Sequence, residues 1–488
     1  MGIRRQQQSL GRLDATYLPA TLTVSPDRRR VAYATRRGYS WSLVVDGIPG
    51  MEYEEIDSGS IVFSLDGLHI AFVASIWNNW RVVSDGTEGR PYEQITGLCF
   101  SPSGTSIAHV AQLEGRWLVV RDGTESKPYD EVLDSPPVFS PDSERLAYGI
   151  QVRERCLVVL DGREGKPYRG LGYGPVFSPD SRRLAYSVWS GEKMLVVADD
   201  RERKSFDGVA DRTPLFSPDS HRLGFVAQQG DKWLVVVDGV ETREYDAIGE
   251  GSPRFSPDSA RWAYRAVDGD NSIVIVDGVP GRRYDAVMTG GPRFSPDSLR
   301  VAYAARRAQK WLLVLDDVES GESDGIGEGG PVFSPDSKHC AWVAARAGRW
   351  ALTVDGQPGK EYDEVHTPVF SSDGRHVACA TREGIRCFVV VDGVESRPFE
   401  GLADSPPVFS RDGRHWACVA RAGGKEALVV DGHAGEFYDR ISDLSDESPV
   451  KPAARASDDP VVVFDGDNNL HYIARRGSEI CLVEERLS

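Results

Sequence analysis

The sequence predicts an all-β fold, a β-propeller of twelve four-stranded antiparallel blades. Three observations predict it. One phrase recurs: "VFSPDSRRLAY" at 176–186, "LFSPDSHRLGF" at 215–225, "RFSPDSARWAY" at 254–264 and "RFSPDSLRVAY" at 293–303. The repeat step is about 39 residues, which fits one four-stranded blade. Between the copies lie strand-forming runs cut by Gly, Pro, Asp and Ser, with no sustained helical period.

The copy at 214–250 shows the elements in order. "PLF" reads as strand A, "SPDS" as a turn, "RLGFVA" as strand B, "KWLVVVDG" as strand C and "REYDAI" as strand D. In the turn, proline presets φ and the Asp carboxylate bonds nearby backbone N–H groups. The fourth place suits a left-handed residue. Gly67, Gly374 and Gly413 stand there, whereas six consecutive copies carry Ser143, Ser181, Ser220, Ser259, Ser298 and Ser337. Every unit carries the phrase and none offers a paired base, so it reads as a hairpin clip. Strand B alternates large and small residues, as in Leu184, Ala185 and Tyr186, and strand C is nearly all apolar. Such sheets need cover on both faces, which stacked blades provide. Asp-Gly ends strand C, and strand D carries an aromatic followed by an acid, as in Tyr245-Asp246 and Tyr284-Asp285.

Twelve anchors mark the units: Val24, Phe63, Phe100, Phe139, Phe177, Phe216, Phe255, Phe294, Phe333, Phe370, Phe409 and Phe464. The last unit stops after strand C, and "GRLDATYLPA" precedes the first anchor. The expected plan is an N-terminal tail at 1–11 and a closing strand at 12–19 that completes the last blade. Eleven repeats follow at 20–440, then an inserted polar loop at 441–459 and the last blade, strands A to C, at 460–488. The alternative is two six-bladed propellers, but the step from Phe216 to Phe255 leaves no linker between halves. With packed sheets about 10 Å apart, twelve inner strands give a radius near 19 Å and an open channel roughly 20–25 Å wide.

Net charge is −17, which weighs against nucleic acid and anionic membranes as partners. No apolar run reads as a signal or a membrane span. The seven cysteines form no C-x-x-C pair and lie mostly in apolar runs, so buried free thiols and a cytoplasmic location are expected. The strings "DGDNN" at 465–469 and "DGDNS" at 268–272 lack the downstream acid of a calcium loop and read as hairpin turns. No cofactor, metal or catalytic residue is expected.

"FSPDSRRLAY" followed by "WLVVVDG" resembles the WD-repeat-like propeller repeats of the TolB type, marked by a Ser-Pro-Asp-Gly turn between the two inner strands. The resemblance covers about residues 12–440 and 460–488. The Trp-Asp dipeptide of true WD repeats is absent. Such repeats serve as binding scaffolds and as gating domains of some serine peptidases. No room remains here for an α/β-hydrolase domain, so neither a nucleophile elbow nor the peptidase role is expected.

The remaining signal is in the loops. Those between strands B and C are rich in arginine: Arg36, Arg37, Arg153, Arg306, Arg307, Arg346 and Arg475. Those between D and the next A, such as "IGEGS" and "LADS", are glycine-rich and often acidic. Both sets open on one face, which gives an acidic inner rim and a basic outer rim. Trp77 and Trp189 are read in two B–C loops, either as exposed partner anchors or folded back onto the blade. The expected function is a monomeric, non-enzymatic scaffold that binds a protein or peptide across this face. The alternative is an enzyme or small-ligand binder that uses the central channel.

Overall fold

Twelve antiparallel blades of four strands close into one ring in the computed structural model, which describes residues 3–13, 15–133, 136–403, 405–441, 444 and 461–487. Blade 6 is typical. Strand B is Leu223–Gln229, strand C Lys232–Val237 and strand D starts at Val240–Glu241. Its innermost strand A comes in two pieces, Gly208–Val209 and Leu215–Phe216, both paired with B. Among the described residues no helix is long and apolar enough to cross a membrane.

The hairpin phrase closes on itself. Ser217 Oγ donates to Asp219 Oδ1 at 2.5 Å and accepts the Arg222 N–H at 2.9 Å. The fourth residue is left-handed, with φ of 70° at Ser220 and 72° at Gly67. The choice between the two has a packing reason. A Cβ on Gly67 would lie 2.3 Å from Asp27 Oδ1 of the preceding blade. The serines instead use that contact. Ser181, Ser220, Ser259, Ser298 and Ser337 accept the N–H of Asp142, Asp180, Asp219, Asp258 and Asp297, each at 2.9 Å. Ser143 does the same for Ser103. The six serines therefore link blades 3 to 9 in an unbroken chain.

A second clip uses the arginine that opens strand B. Arg222 donates to Asp238 at 2.9 Å, lies 5.4 Å over the ring of Phe255 in the next blade, and reaches Ala260 O there at 3.0 Å. Between blades, rings meet edge to face, as in Tyr245–Tyr264 and Tyr284–Tyr303, both at 6.2 Å. Such pairs add roughly 0.5–1.5 kcal/mol each beyond the area that they bury.

Closure comes from the N-terminus, but of the described residues in the span 12–19 only Arg12 and Leu13 bond to the last blade through their backbone. Strand D of blade 12 is Ile3–Arg12, within the stretch read as a tail, and it pairs along Glu479–Leu487. Two contacts fix this register. Leu10 and Leu13 bury against Val31, Tyr33 and Val44 of blade 1 and Ile480 and Leu482 of blade 12. Arg5 donates to Glu485 at 2.8 Å and to Glu436 of blade 11 at 3.0 Å. At the bulge in this strand, Gly11 (φ 120°) meets Gly47, and a Cβ would come within 2.6 Å of that backbone. Tyr17, in the span expected to close the ring, instead bridges to Thr35 of blade 1. The polar loop expected at 441–459 lies outside the described residues except for Ile441 and Leu444.

The boundary between strands D and A also differs from the sequence reading. Tyr245 ends its blade and Asp246 already pairs with the next one, donating its N–H to Val267 O at 2.9 Å. The chain crosses from D to A without a loop. "IGEGS" and its equivalents instead interrupt strand A, as between Ala247–Ile248 and Arg254–Phe255.

Candidate functional site

The face formed by the B–C hairpin tips is the one at which the sequence signals converge. Its acids are occupied. Acids at the end of strand D accept a backbone N–H at the B–C tip of the next blade, three of them after an aromatic and Asp324 after Ser323: Asp207 from Gly230 at 2.8 Å, Asp246 from Gly269 at 2.7 Å, Asp285 from Ala308 at 2.8 Å and Asp324 from Ala347 at 2.6 Å. The same carboxylates take cations from the start of strand C, Lys232 to Asp246 and Lys310 to Asp324. These bonds hold Asp207, Asp246 and Asp324 below the usual carboxylate range. The aromatic-acid dipeptide is thus an interblade cap, a role that the sequence reading missed. Its signal was the acid's spacing of 23 residues from the next B–C tip in these four units.

The predicted arginines fall into three groups. Arg36 and Arg306 sit at the ends of their B strands over Trp41 and Trp311, at 5.7 and 5.8 Å. Arg307 pairs with Glu319 at 2.9 Å. Arg37, Arg153 and Arg346 are exposed and make no ion pair among the described residues. Arg475 does not belong to the rim. It is buried and donates to Gly477 O at 2.9 Å and Leu444 O at 2.7 Å. Arg36, Arg306, Arg307 and Arg475 of the expected basic rim are therefore engaged within the chain, and Glu250, from the acidic string "IGEGS", is exposed and pairs with Arg212 at 3.2 Å.

The two tryptophans part company. Trp77 stands at the tip of the B–C hairpin of blade 2, 82% exposed, with a left-handed φ of 52°. Trp189 is not in a loop. It lies within strand B of blade 5, Leu184–Ser190, against Gly170. The sequence reading overlooked Tyr39, 93% exposed at the equivalent tip of blade 1. Arg37 and Tyr39 on one hairpin and Trp77 on the next place a cation and two bare aromatic rings on adjacent blades.

The string Gly321-Glu322-Ser323-Asp324-Gly325 fits the nucleophile-elbow pattern, contrary to the expectation that none occurs. Its setting is structural. Ser323 is buried, replaces the strand-D aromatic of blade 8, and donates its hydroxyl to Trp311 O at 3.0 Å. Among the described residues no group of three or more His, Cys, Asp or Glu is placed to hold a metal ion. Asp268 and Asp465, from the two Asp-rich strings, pair with Arg283 and Arg29. The seven cysteines are free thiols, five of them buried. Burial pushes Cys340, Cys379 and Cys418 up to about 12, which keeps them neutral.

Neither a family model nor a curated protein sequence matches this chain. Solved structures similar to it include one titled "Crystal structure of the eukaryotic initiation factor", 11% identical, with a TM-score of 0.36 over 74% of this chain and 91% of that one. TolB from Acinetobacter baumannii is 14% identical, with a TM-score of 0.22 over 54% of this chain and 79% of that one. The Dos1 propeller is 10% identical, with a TM-score of 0.27 over 66% and 89%. Propellers are thus among its structural neighbours. At these TM-scores the likenesses carry no argument about function, and the TolB-type affiliation stays a resemblance.

Proposed function

We propose that this chain is a non-enzymatic propeller scaffold that binds a protein or peptide across its B–C hairpin face, within a reducing compartment such as the cytoplasm. The observation that carries the reading is the pair Tyr39 and Trp77, two almost bare aromatic rings at the tips of adjacent blades. Large aromatic side chains bury much area at low entropic cost, which is why they anchor interfaces. Arg37 beside them supplies a cation that no acid of the described chain engages. The free thiols fit a reducing compartment.

The test is affinity purification from the native host, followed by titration of the recovered partner. Trp77→Ala is expected to weaken binding by about 30-fold, roughly 2 kcal/mol, and Tyr39→Ala and Arg37→Glu by less. Stability should stay within about 0.5 kcal/mol, as for other surface changes. Unchanged affinity in all three variants would move the partner site off this face.

A further inference from the structure

The blade interfaces share a packing rule, and one interface departs from it without compensation. Seven interfaces place a strand-D aromatic edge-on against a ring in the middle of the next strand B, with His109 supplying one of those rings. Between blades 4 and 5, Tyr168 and Tyr186 share one cluster, and three further interfaces depart from the rule but fill the space; between blades 12 and 1, Leu10 and Leu13 pack against Tyr33. Between blades 8 and 9, Ser323 replaces the strand-D ring, and the larger Trp342 is buried at the strand-B place. Between blades 10 and 11, Cys418 replaces the ring, but Trp416 two residues earlier packs into the same cluster.

Between blades 9 and 10, Cys379 faces Tyr362 and the residue two places earlier is only Val377. A second filler is missing at the same interface. His339 stands where Arg300 stands in the preceding blade, and it turns to Asp355 at 2.6 Å. Arg300 lies 5.9 Å over Phe333, but among the described residues no guanidinium lies over Phe370. The result is a cavity of about 310 Å³ lined by Leu352, Val354, Tyr362, Phe370, Cys379 and Val390. It opens at the end of the ring that carries the A–B and C–D turns, away from the B–C hairpin face.

The empty space has the shape of a phenol. In other blades the strand-B tyrosine runs outward until its hydroxyl meets the third residue after Asp-Gly. Tyr186 and Tyr303 end 3.5 and 3.7 Å from where a Cβ would stand on Gly165 and Gly281. Gly359 holds that place in blade 9, and it lines the cavity. We propose that this cavity is a binding site for a small phenolic molecule. Its ring lies over Cys379, edge-on to Tyr362, and its hydroxyl points to the mouth beside Gly359. The cavity is open at one end and also lined by Lys360, Arg375 and Asp392, and its volume of about 310 Å³ holds a ring with a polar substituent. The neutral Cys379 thiol is an apolar wall to that ring.

The experiment is calorimetric titration of the intact protein with 4-ethylphenol, with cyclohexanol as the non-aromatic control. Saturable one-to-one binding of the phenol, at least tenfold tighter than cyclohexanol, is expected. Cys379→Tyr fills the slot with the residue that other blades use, and Val377→Trp fills it as Trp416 does. Each should weaken 4-ethylphenol binding at least tenfold without lowering the melting temperature. The second variant decides if the first does not fold. No saturable binding to the wild type, equal binding of cyclohexanol, or wild-type affinity in the folded variants overturns the assignment.

Discussion

His109 occupies, in blade 3, the strand-B place that Phe72 and Phe225 fill in blades 2 and 6. It is 6% exposed, lies edge-on to Tyr92 at 5.9 Å, and neither ring nitrogen has a hydrogen-bond partner among the described residues. Burial alone lowers its pKa to about 4, against about 6.5 in an unfolded chain. The unfolded chain therefore binds the proton more tightly. The stability that depends on a neutral His109 is complete above about pH 6.5 and is lost as pH falls toward 4. The full loss is on the order of 3 kcal/mol. His109→Phe should remove this dependence, so the variant should gain about 2 kcal/mol on the wild type between pH 7 and pH 5. Urea unfolding at the two pH values measures the gap, and parallel pH profiles would contradict it. The sequence shows His109 only as one polar letter in an apolar run, because its partner ring, Tyr92, lies in the preceding blade.

At the scale of the element, the hairpin clip was legible because its chemistry is local. Ser217, Asp219 and Ser220 sit within four positions, and turn propensities alone assign their roles. What joins one blade to the next was not legible. Ser181 accepts the N–H of Asp142 from the preceding repeat, and no local pattern reveals that partner. The D–A boundary was misplaced for a related reason. In "YDAIGEGS" the breakers follow Ile248, so they suggest a connection there. The backbone crosses between blades at Tyr245-Asp246, and the glycines serve an interruption in strand A. The Ser181 bond gives a sharp contrast. Ser181→Ala keeps a left-handed side chain and loses the bond, so it should cost about 1–2 kcal/mol. Ser181→Gly loses the bond but relieves the backbone, and should stay within about 1 kcal/mol of the wild type. An alanine variant as stable as the wild type would mean that this bond holds nothing.

At the scale of the whole molecule, the ring was legible from the repeat step and from a last unit that lacks one strand. The register of the closing strand was not. Both "IRRQQQSLGR" and "GRLDATYLPA" can be written as extended segments, and only long-range contacts choose between them. Leu10 and Leu13 find a pocket shared by blades 12 and 1, and Arg5 finds Glu485, a carboxylate that is 2% exposed. A buried carboxylate left without its cation costs roughly 3–5 kcal/mol, so this pair holds the strand in place. The candidate partner face was only half legible for a similar reason: solvation or pairing of each arginine depends on neighbours that the sequence does not order. Single-ring closure underlies every interblade contact described above, and electron microscopy of the intact protein tests it most directly. Class averages should show one broad ring with an axial channel roughly 20–25 Å wide. Particles made of two compact discs, or an open arc with a free blade at each end, would contradict it.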